Sequence, residues 1–326
     1  MIWTRLAASF LFIAALIGGF AVYVSQRAAS RVAEINAAYP PQGAFVEVEG
    51  LQIHGVVLGS DEGAARPDVV LIHGASGSTR DFTIGLAPLL AERYRVIVLD
   101  RPGLGHSDAL PFDAASIEDQ ARVLQKAASA FGAEKPIVVG QSYGGAVSLA
   151  WAVNHPDTLS GLLPLAAASN LWVTGLDALY VITTNPIGRT LVVPMITAFA
   201  GKKQVDDAIV SIFKPQKTPE GYGDDVGGAL ILRTETFRSN AEMRKRIKEE
   251  IRALVPRYSE ISVPTEIIHG TSDTIVPHRI HSDKLAEQIE GAVYTKLDGV
   301  GHMPHHTNKE DVIAAVDRLA ARAQLR

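Results

Sequence analysis

The sequence contains no cysteine. That excludes a thiol nucleophile, a disulfide framework and any cysteine-ligated zinc or iron–sulfur site. It says little about compartment, because a chain of 326 residues can bury a core large enough to need no covalent staples. Neither sign of charge dominates. The 31 Lys and Arg against 35 Asp and Glu leave a net charge of −4, which gives no electrostatic footprint for nucleic acid. The glycine-rich stretches 74–77 and 140–145 lack both the Gly-Lys-Ser/Thr of a phosphate loop and the Gly-x-Gly-x-x-Gly of a dinucleotide site. There is no internal repeat and no low-complexity tract.

What is present begins with an uncharged apolar run from Leu6 to Val24, behind Arg5. As a helix it would extend about 28 Å, close to the thickness of a bilayer hydrocarbon core. Its length favours an uncleaved membrane anchor over residues 1–30. A secretory signal, with Ala28-Ala29-Ser30 as cleavage site, is the other reading. Arg27 and Arg31 beyond the run outnumber Arg5 before it, which leans towards a cytoplasmic C-terminal side. The N-terminal position resembles an export signal and leans the other way, so the exported, periplasmic side is the expectation. Residues 31–43, ending in Pro40-Pro41 and Gly43, read as a linker.

Phe45–Glu49 and Leu51–Leu58 alternate as a two-stranded hairpin around Gly50, and the polar stretch Ser60–Pro67 reads as a loop. Strands and helices then alternate: Val69–Ile72, a helix from about Asp81 to Arg93, Arg95–Leu99, a helix from Ser116 to about Phe131, and a unit over 136–155. Leu159–Ala167 reads as the next strand. Such alternation implies a mostly parallel sheet covered by helices on both faces. It stops near Ser169 and resumes at Val263. The interruption carries Trp172, Leu176, Tyr180, Phe199, Phe213, Tyr222 and Phe237. Its clearest helix is expected to begin at the capping box Ser239-Asn-Ala-Glu242, with Arg244, Lys245, Lys248 and Arg252 on a basic face. That face reads as solvated, with anionic lipid head groups as the alternative partner. A strand over Thr265–His269, a helix over Arg279–Glu290, a strand over Val293–Leu297 and a helix over Lys309–Ala323 close the chain.

The stretch the rest is organised around is Pro136-Ile-Val-Val-Gly140-Gln-Ser142-Tyr-Gly144-Gly145. Strand, tight turn and helix in that order are the context in which Gly-x-Ser-x-Gly presents a serine Oγ at a sheet edge. Acyl transfer by that serine needs a base, a carboxylate to orient the base, and donors for the oxyanion. Asp273 follows the Thr265–His269 strand, and His302 follows Val293–Leu297. Loops after parallel strands emerge on one edge, so Ser142, Asp273 and His302 are expected to converge. The fourth stretch, Val69-Val-Leu-Ile-His73-Gly74-Ala75-Ser-Gly77, places a His-Gly step after a strand. The backbone N–H groups of Ala75 and Tyr143 are the expected oxyanion donors. His302, His305 and His306 have helical metal-ligand spacing, but no nearby carboxylate motif completes a site, so no metal is expected.

These motifs, with Asp100-Arg-Pro-Gly-Leu-Gly-His-Ser107, Gly270-Thr-Ser-Asp273, Val276-Pro277 and Gly301-His302, resemble the α/β-hydrolase superfamily, specifically its lid-bearing serine group with a His-Gly oxyanion loop. The resemblance spans about residues 45–323. It implies an α/β-hydrolase fold: a mostly parallel eight-stranded sheet with one antiparallel strand, flanked by helices, with a helical lid inserted after the sixth strand. The expected organisation is a core of 44–168 and 261–326, a lid over 169–260, and an N-terminal transmembrane helix without family counterpart. In this pattern the Asp100–Ser107 segment borders the site and His106 is structural. The expected activity is a membrane-anchored serine hydrolase of carboxylic esters with small or medium hydrophobic groups. It works through an acyl-enzyme and without a cofactor. A perhydrolase or haloperoxidase-like activity and carbon–carbon hydrolysis use the same apparatus. A non-catalytic binding module of this fold would carry an eroded triad.

Overall fold

The structure, a computed structural model, describes residues 2–59, 66–111, 115–175 and 177–325. Most of the loop expected over Ser60–Pro67 lies outside the described residues, as does Leu176.

Eight strands form one sheet: β1 (Ala44–Val48), β2 (Leu51–Leu58), β3 (Asp68–Ile72), β4 (Arg95–Leu99), β5 (Ile137–Gln141), β6 (Gly161–Leu165), β7 (Glu266–Gly270) and β8 (Val293–Leu297). Their spatial order is β1-β2-β4-β3-β5-β6-β7-β8. β2 runs antiparallel to both neighbours, and every other pairing is parallel. The central strands read as continuous apolar runs because both faces of the sheet are covered. Alternation decides which face each residue serves. Val70, Ile72, Ile97, Leu99 and Val138 pack with α4 (Ile117–Ala130) and α5 (Tyr143–Asn154). Val69, Leu71, Val96, Val98 and Val139 pack on the other face with α2 (Arg80–Thr83), α3 (Leu86–Ala91) and α13 (Lys309–Arg322). The helix expected over Asp81–Arg93 is thus two short ones, broken where Gly85 takes a non-helical conformation.

Between β6 and β7 the chain leaves the sheet for a helical insertion. It comprises α6 (Ala178–Thr184), a π-helical turn Gly188–Val192, α7 (Val193–Phe199), α8 (Lys202–Phe213), α9 (Tyr222–Asp225) and α10 (Thr234–Leu254). α10 begins five residues before the expected capping box, and Ser239 lies inside it. Nothing in Thr234–Arg238 breaks a helix, and Phe237 gives that extra turn a buried side chain. Glu242 therefore caps nothing. Its carboxylate oxygens are buried with no hydrogen-bond partner among the described residues, and burial raises its pKa. On the basic face, Arg244 lies over the Tyr180 ring and Lys248 over Trp172, so two of those cations pack on the insertion's own aromatics. α11 (Ser282–Gln288) and α12 (Pro304–Thr307) complete the molecule.

The N-terminal helix α1 spans Ile2–Ala38, 37 residues without interruption, and is long and apolar enough to cross a membrane. Residues 31–38, expected as part of a linker, are its last two turns. The stretch from Ser25 to Tyr39 holds no Gly or Pro and is rich in Ala, so the helix has no reason to stop before Pro40-Pro41. From Val24 onwards one side of α1 is buried. Val24 and Ala28 pack on Ala198, and Ile35 packs on Leu230 and Leu232.

Candidate active site

Ser142 sits between β5 and α5 with φ 54° and ψ −114°, a region that costs an L-residue free energy and persists only where its surroundings enforce it. The turn around it is too tight for side chains at the flanking glycines. A Cβ at Gly140 would meet the Gly144 carbonyl oxygen at 2.2 Å, and one at Gly144 would meet that of Ile72 at 2.3 Å. Both meetings are with backbone, which cannot swing away.

The parallel topology brings the three predicted side chains together. Ser142 Oγ lies 3.0 Å from His302 Nε2, and His302 Nδ1 lies 2.6 Å from Asp273 Oδ2. All three are buried. Asp273 Oδ1 accepts from the Ile275 and Val276 N–H groups at 2.8 and 2.9 Å. Burial pushes its carboxyl up, but the facing His302 imidazole and the hydrogen bonds of His269 and His302 outweigh that and hold it well below the usual range. An ionised Asp273 accepts the His302 Nδ1 proton, which leaves Nε2 unprotonated beside Ser142 Oγ.

Three flanking residues were not picked out from the sequence. His269 Nε2 lies 2.7 Å from the Val276 carbonyl and 3.1 Å from Asp273 Oδ2. Because Val276 O only accepts, Nε2 carries the proton and shares it with Asp273. Gln141 Nε2 donates to the His302 carbonyl at 3.3 Å and lies 3.3 Å from His302 Nε2 as well. Arg101 is the third. Its fully buried guanidinium donates to the carbonyls of His73 (3.0 Å) and Gly74 (2.9 Å) and to Gln120 Oε1 (2.8 Å). It also stacks 4.3 Å from the Tyr143 ring centroid. Burial lowers its pKa to about 10, still protonated at neutral pH. His73 is held neutral, its pKa lowered to about 4 by burial and by Arg101. Its Nε2 accepts the Arg101 N–H at 3.0 Å. Arg101 thus occupies the carbonyls of the His73–Gly74 turn, next to Ala75. Gly74 itself abuts the serine: a Cβ there would lie 3.2 Å from Ser142 Cβ. The N–H groups of Ala75 and Tyr143 donate to no acceptor among the described residues.

The remaining histidines of the predicted cluster go elsewhere. His305 and His306 point away from Ser142 chemistry and converge on Asp81, a carboxylate the linear spacing did not reveal. His305 Nε2 lies 3.2 Å from Asp81 Oδ2, His306 Nε2 lies 2.8 Å from Oδ1, and Tyr222 Oη donates to Oδ1 at 2.7 Å. Burial lowers the pKa of His305 to about 4. The three ligand atoms are close enough to hold a cation. The bonds to Asp81 already satisfy the carboxylate, however, and His305 Nδ1 lacks the acceptor that a metal-ligating imidazole uses on its far side. The set is a hydrogen-bonded clamp between α2, α9 and α12.

A model of the alpha/beta hydrolase family matches residues 69–315. The chain belongs to the α/β hydrolase family. It is a hydrolase of that fold. A 2-hydroxy-6-oxononadienedioate/2-hydroxy-6-oxononatrienedioate hydrolase of Klebsiella pneumoniae is 24% identical over 225 residues, 67% of this chain and 75% of its own. Among solved structures, the enol-lactonase from Burkholderia xenovorans LB400 superposes with TM-score 0.69 at 19% identity, covering 85% of this chain and 99% of its own. A membrane phospholipase A, described as a bacterial virulence factor, superposes with TM-score 0.65 at 20% identity, covering 97% of this chain and 99% of its own. At these identities the structural likeness speaks for the fold.

Proposed function

We propose that this α/β hydrolase is a membrane-anchored serine esterase working through an acyl-enzyme. The observation that carries the reading is the unbroken Ser142–His302–Asp273 relay at 3.0 and 2.6 Å. Ser142 Oγ attacks the ester carbonyl while His302 Nε2 takes its proton. The Ala75 and Tyr143 N–H groups stabilise the oxyanion, and His302 returns the proton to the departing alkoxide. Water, deprotonated by the same imidazole, then attacks the acyl-serine and releases the acid. Asp273 keeps the imidazole in the required tautomer and stabilises its charged form. No step calls for a cofactor.

The membrane part of the reading draws on α1 and on the phospholipase neighbour. Coverage of 97% of this chain necessarily includes most of α1. The ester part draws on the neighbours named for lactone and phospholipid linkages, both of which are esters. The insertion over 169–260 is the proposed lid. Carbon–carbon hydrolysis is the second reading: the substrate in the Klebsiella relative's name is a hydroxy-oxo dienedioate, which contains no ester to cleave.

The deciding experiment is hydrolysis of p-nitrophenyl esters of rising chain length by the full chain in detergent, beside Ser142→Ala. Turnover that falls by a factor of up to about 10⁶ in the variant supports the nucleophile. Turnover unchanged by the substitution sinks the mechanism. A folded protein inert to esters, but labelled at Ser142 by a fluorophosphonate and active on a vinylogous 1,5-diketone, moves the assignment to the second reading.

A further inference from the structure

From Ala178 to Ala200 the insertion contains one charged residue, Arg189. Much of this stretch is exposed. Val181, Ile182, Ile187, Leu191, Met195 and Phe199 are all exposed, Ile187 by 72%. A scatter of single exposed aliphatics needs no explanation, but a run of them along consecutive helical turns does. The buried side is small and mixed: Thr183, Thr184, Val193, Thr197 and Ala198 face inwards, and Thr183 and Thr184 spend their hydroxyls on backbone carbonyls one turn back. The outward side is mostly apolar, interrupted by Asn185 and Thr190.

Its position says what that side meets. α7 lies along α1 at the level where the apolar run ends. Ala198 packs on Val24 and Ala28, the Phe199 ring lies 6.4 Å from that of Tyr23, and Arg27 donates to the Ala198 carbonyl at 3.0 Å. Arg27 is the first charge after Arg5, so it marks where α1 would leave hydrocarbon. Tyr23 and Phe199 beside it are residues suited to the boundary between acyl chains and head groups.

We infer that the exposed apolar face of residues 178–199 is a second membrane contact, seated in the interfacial layer of the same bilayer that α1 crosses. The inference goes beyond the esterase reading and rests on its membrane part alone. Occupancy by lipid follows from continuity with α1: the patch adjoins the apolar surface of that helix, so no separate partner is required to cover it. The outcome is a shallow foot beside a spanning leg.

The absence of cysteine makes the test direct, because each introduced thiol is the sole labelling site. Full-length Phe12→Cys, Ile187→Cys, Leu191→Cys and Val293→Cys are labelled with an environment-sensitive fluorophore in nanodiscs containing spin-labelled lipids. Phe12 reports on α1, and Val293 is an exposed apolar control on β8. Quenching at Ile187 and Leu191 by spin labels near the head group, with none at Val293, is the expected result. Quenching at Phe12 alone overturns the second contact and leaves the anchor standing. Quenching at Ile187 and Leu191 without Phe12 keeps the contact and removes the anchor. No quenching at any of the three overturns both. As a functional arm, Leu191→Glu is expected to lower turnover of bilayer-embedded lipid ester by about 10-fold or more with little change on a soluble ester. Equal loss on both substrates would mark a packing defect and count against the contact.

Discussion

At the scale of single residues, the site is held by groups packed behind its three reacting side chains. Arg101 holds two carbonyls of the His73–Gly74 turn and backs the Tyr143 ring, so its planar fork matters more than its charge. Arg101→Lys should keep the fold, as judged by circular dichroism, and lower kcat by about 10- to 100-fold with KM within a factor of a few. A KM effect alone would place Arg101 in substrate binding instead. Gly144→Ala puts a methyl group against the Ile72 carbonyl and should abolish soluble expression or lower Tm steeply. Buried histidines also set the acid response. His73 and His305, held at about 4, and His281, held at about 3 mainly by burial, stay neutral when folded but take up protons near 6.5 when unfolded. Glu250, pushed up by burial to about 7, has the opposite sign: unfolding releases its proton above pH 4.5. Burial also lowers the pKa of His106 and His155 and raises that of Glu242, so the histidines outnumber the carboxyls and the unfolded chain binds about two more protons between pH 6 and 5. Stability should therefore fall with falling pH in that window, by on the order of 1–3 kcal/mol per unit. Urea midpoints at pH 6.5, 6.0, 5.5 and 5.0 measure it, and a flat series, or midpoints that rise as the pH falls, would contradict the assignment.

At the scale of elements, the clamp on Asp81 joins three pieces of chain. α12 begins two residues after His302, so loosening Asp81 should be felt at the imidazole. Asp81→Asn should lower stability by about 1–3 kcal/mol in urea unfolding and lower kcat without a matching change in KM. Full activity at normal stability would reduce the clamp to decoration. This element also separates what the sequence discloses from what it conceals. Ser142, Asp273 and His302 are legible because each follows an apolar strand, and parallel topology sends such loops to one edge whatever lies between. Asp81 meets His305 and His306 only because α2 and α12 pack on the same face of the sheet, a fact with no local signature. Arg101 is similar: a charge after a strand reads as solvated until the fold closes over it. The mistaken start of α10 has another origin, since Ser-x-x-Glu occurs inside helices as readily as at their ends. The continuation of α1 past residue 30 was legible in principle, in the Ala-rich run without Gly or Pro and in the spacing of Val24, Ala28 and Ile35 along one face.

At the scale of the whole molecule, α1 is built into the insertion and not merely tethered to it. A chain starting at residue 39 would expose Leu230, Leu232 and Ala198, whereas one starting at residue 23 would keep them covered. The shorter chain should melt about 5 °C or more below the longer one and aggregate more readily, both read by thermal scanning with light scattering. Equal melting would mean that α1 adds nothing to the fold.

A helix of 37 residues runs about 56 Å, and no Gly or Pro separates the end of its apolar run from the docked half. On the anchored reading, an enzyme carried on such a helix cannot tumble with respect to its support. Height and facing are fixed, and the search for substrate collapses from three dimensions to two. Its rate would then answer to the mole fraction of substrate within the sheet of lipid, so that adding inert lipid slows turnover even when the total amount of substrate is unchanged.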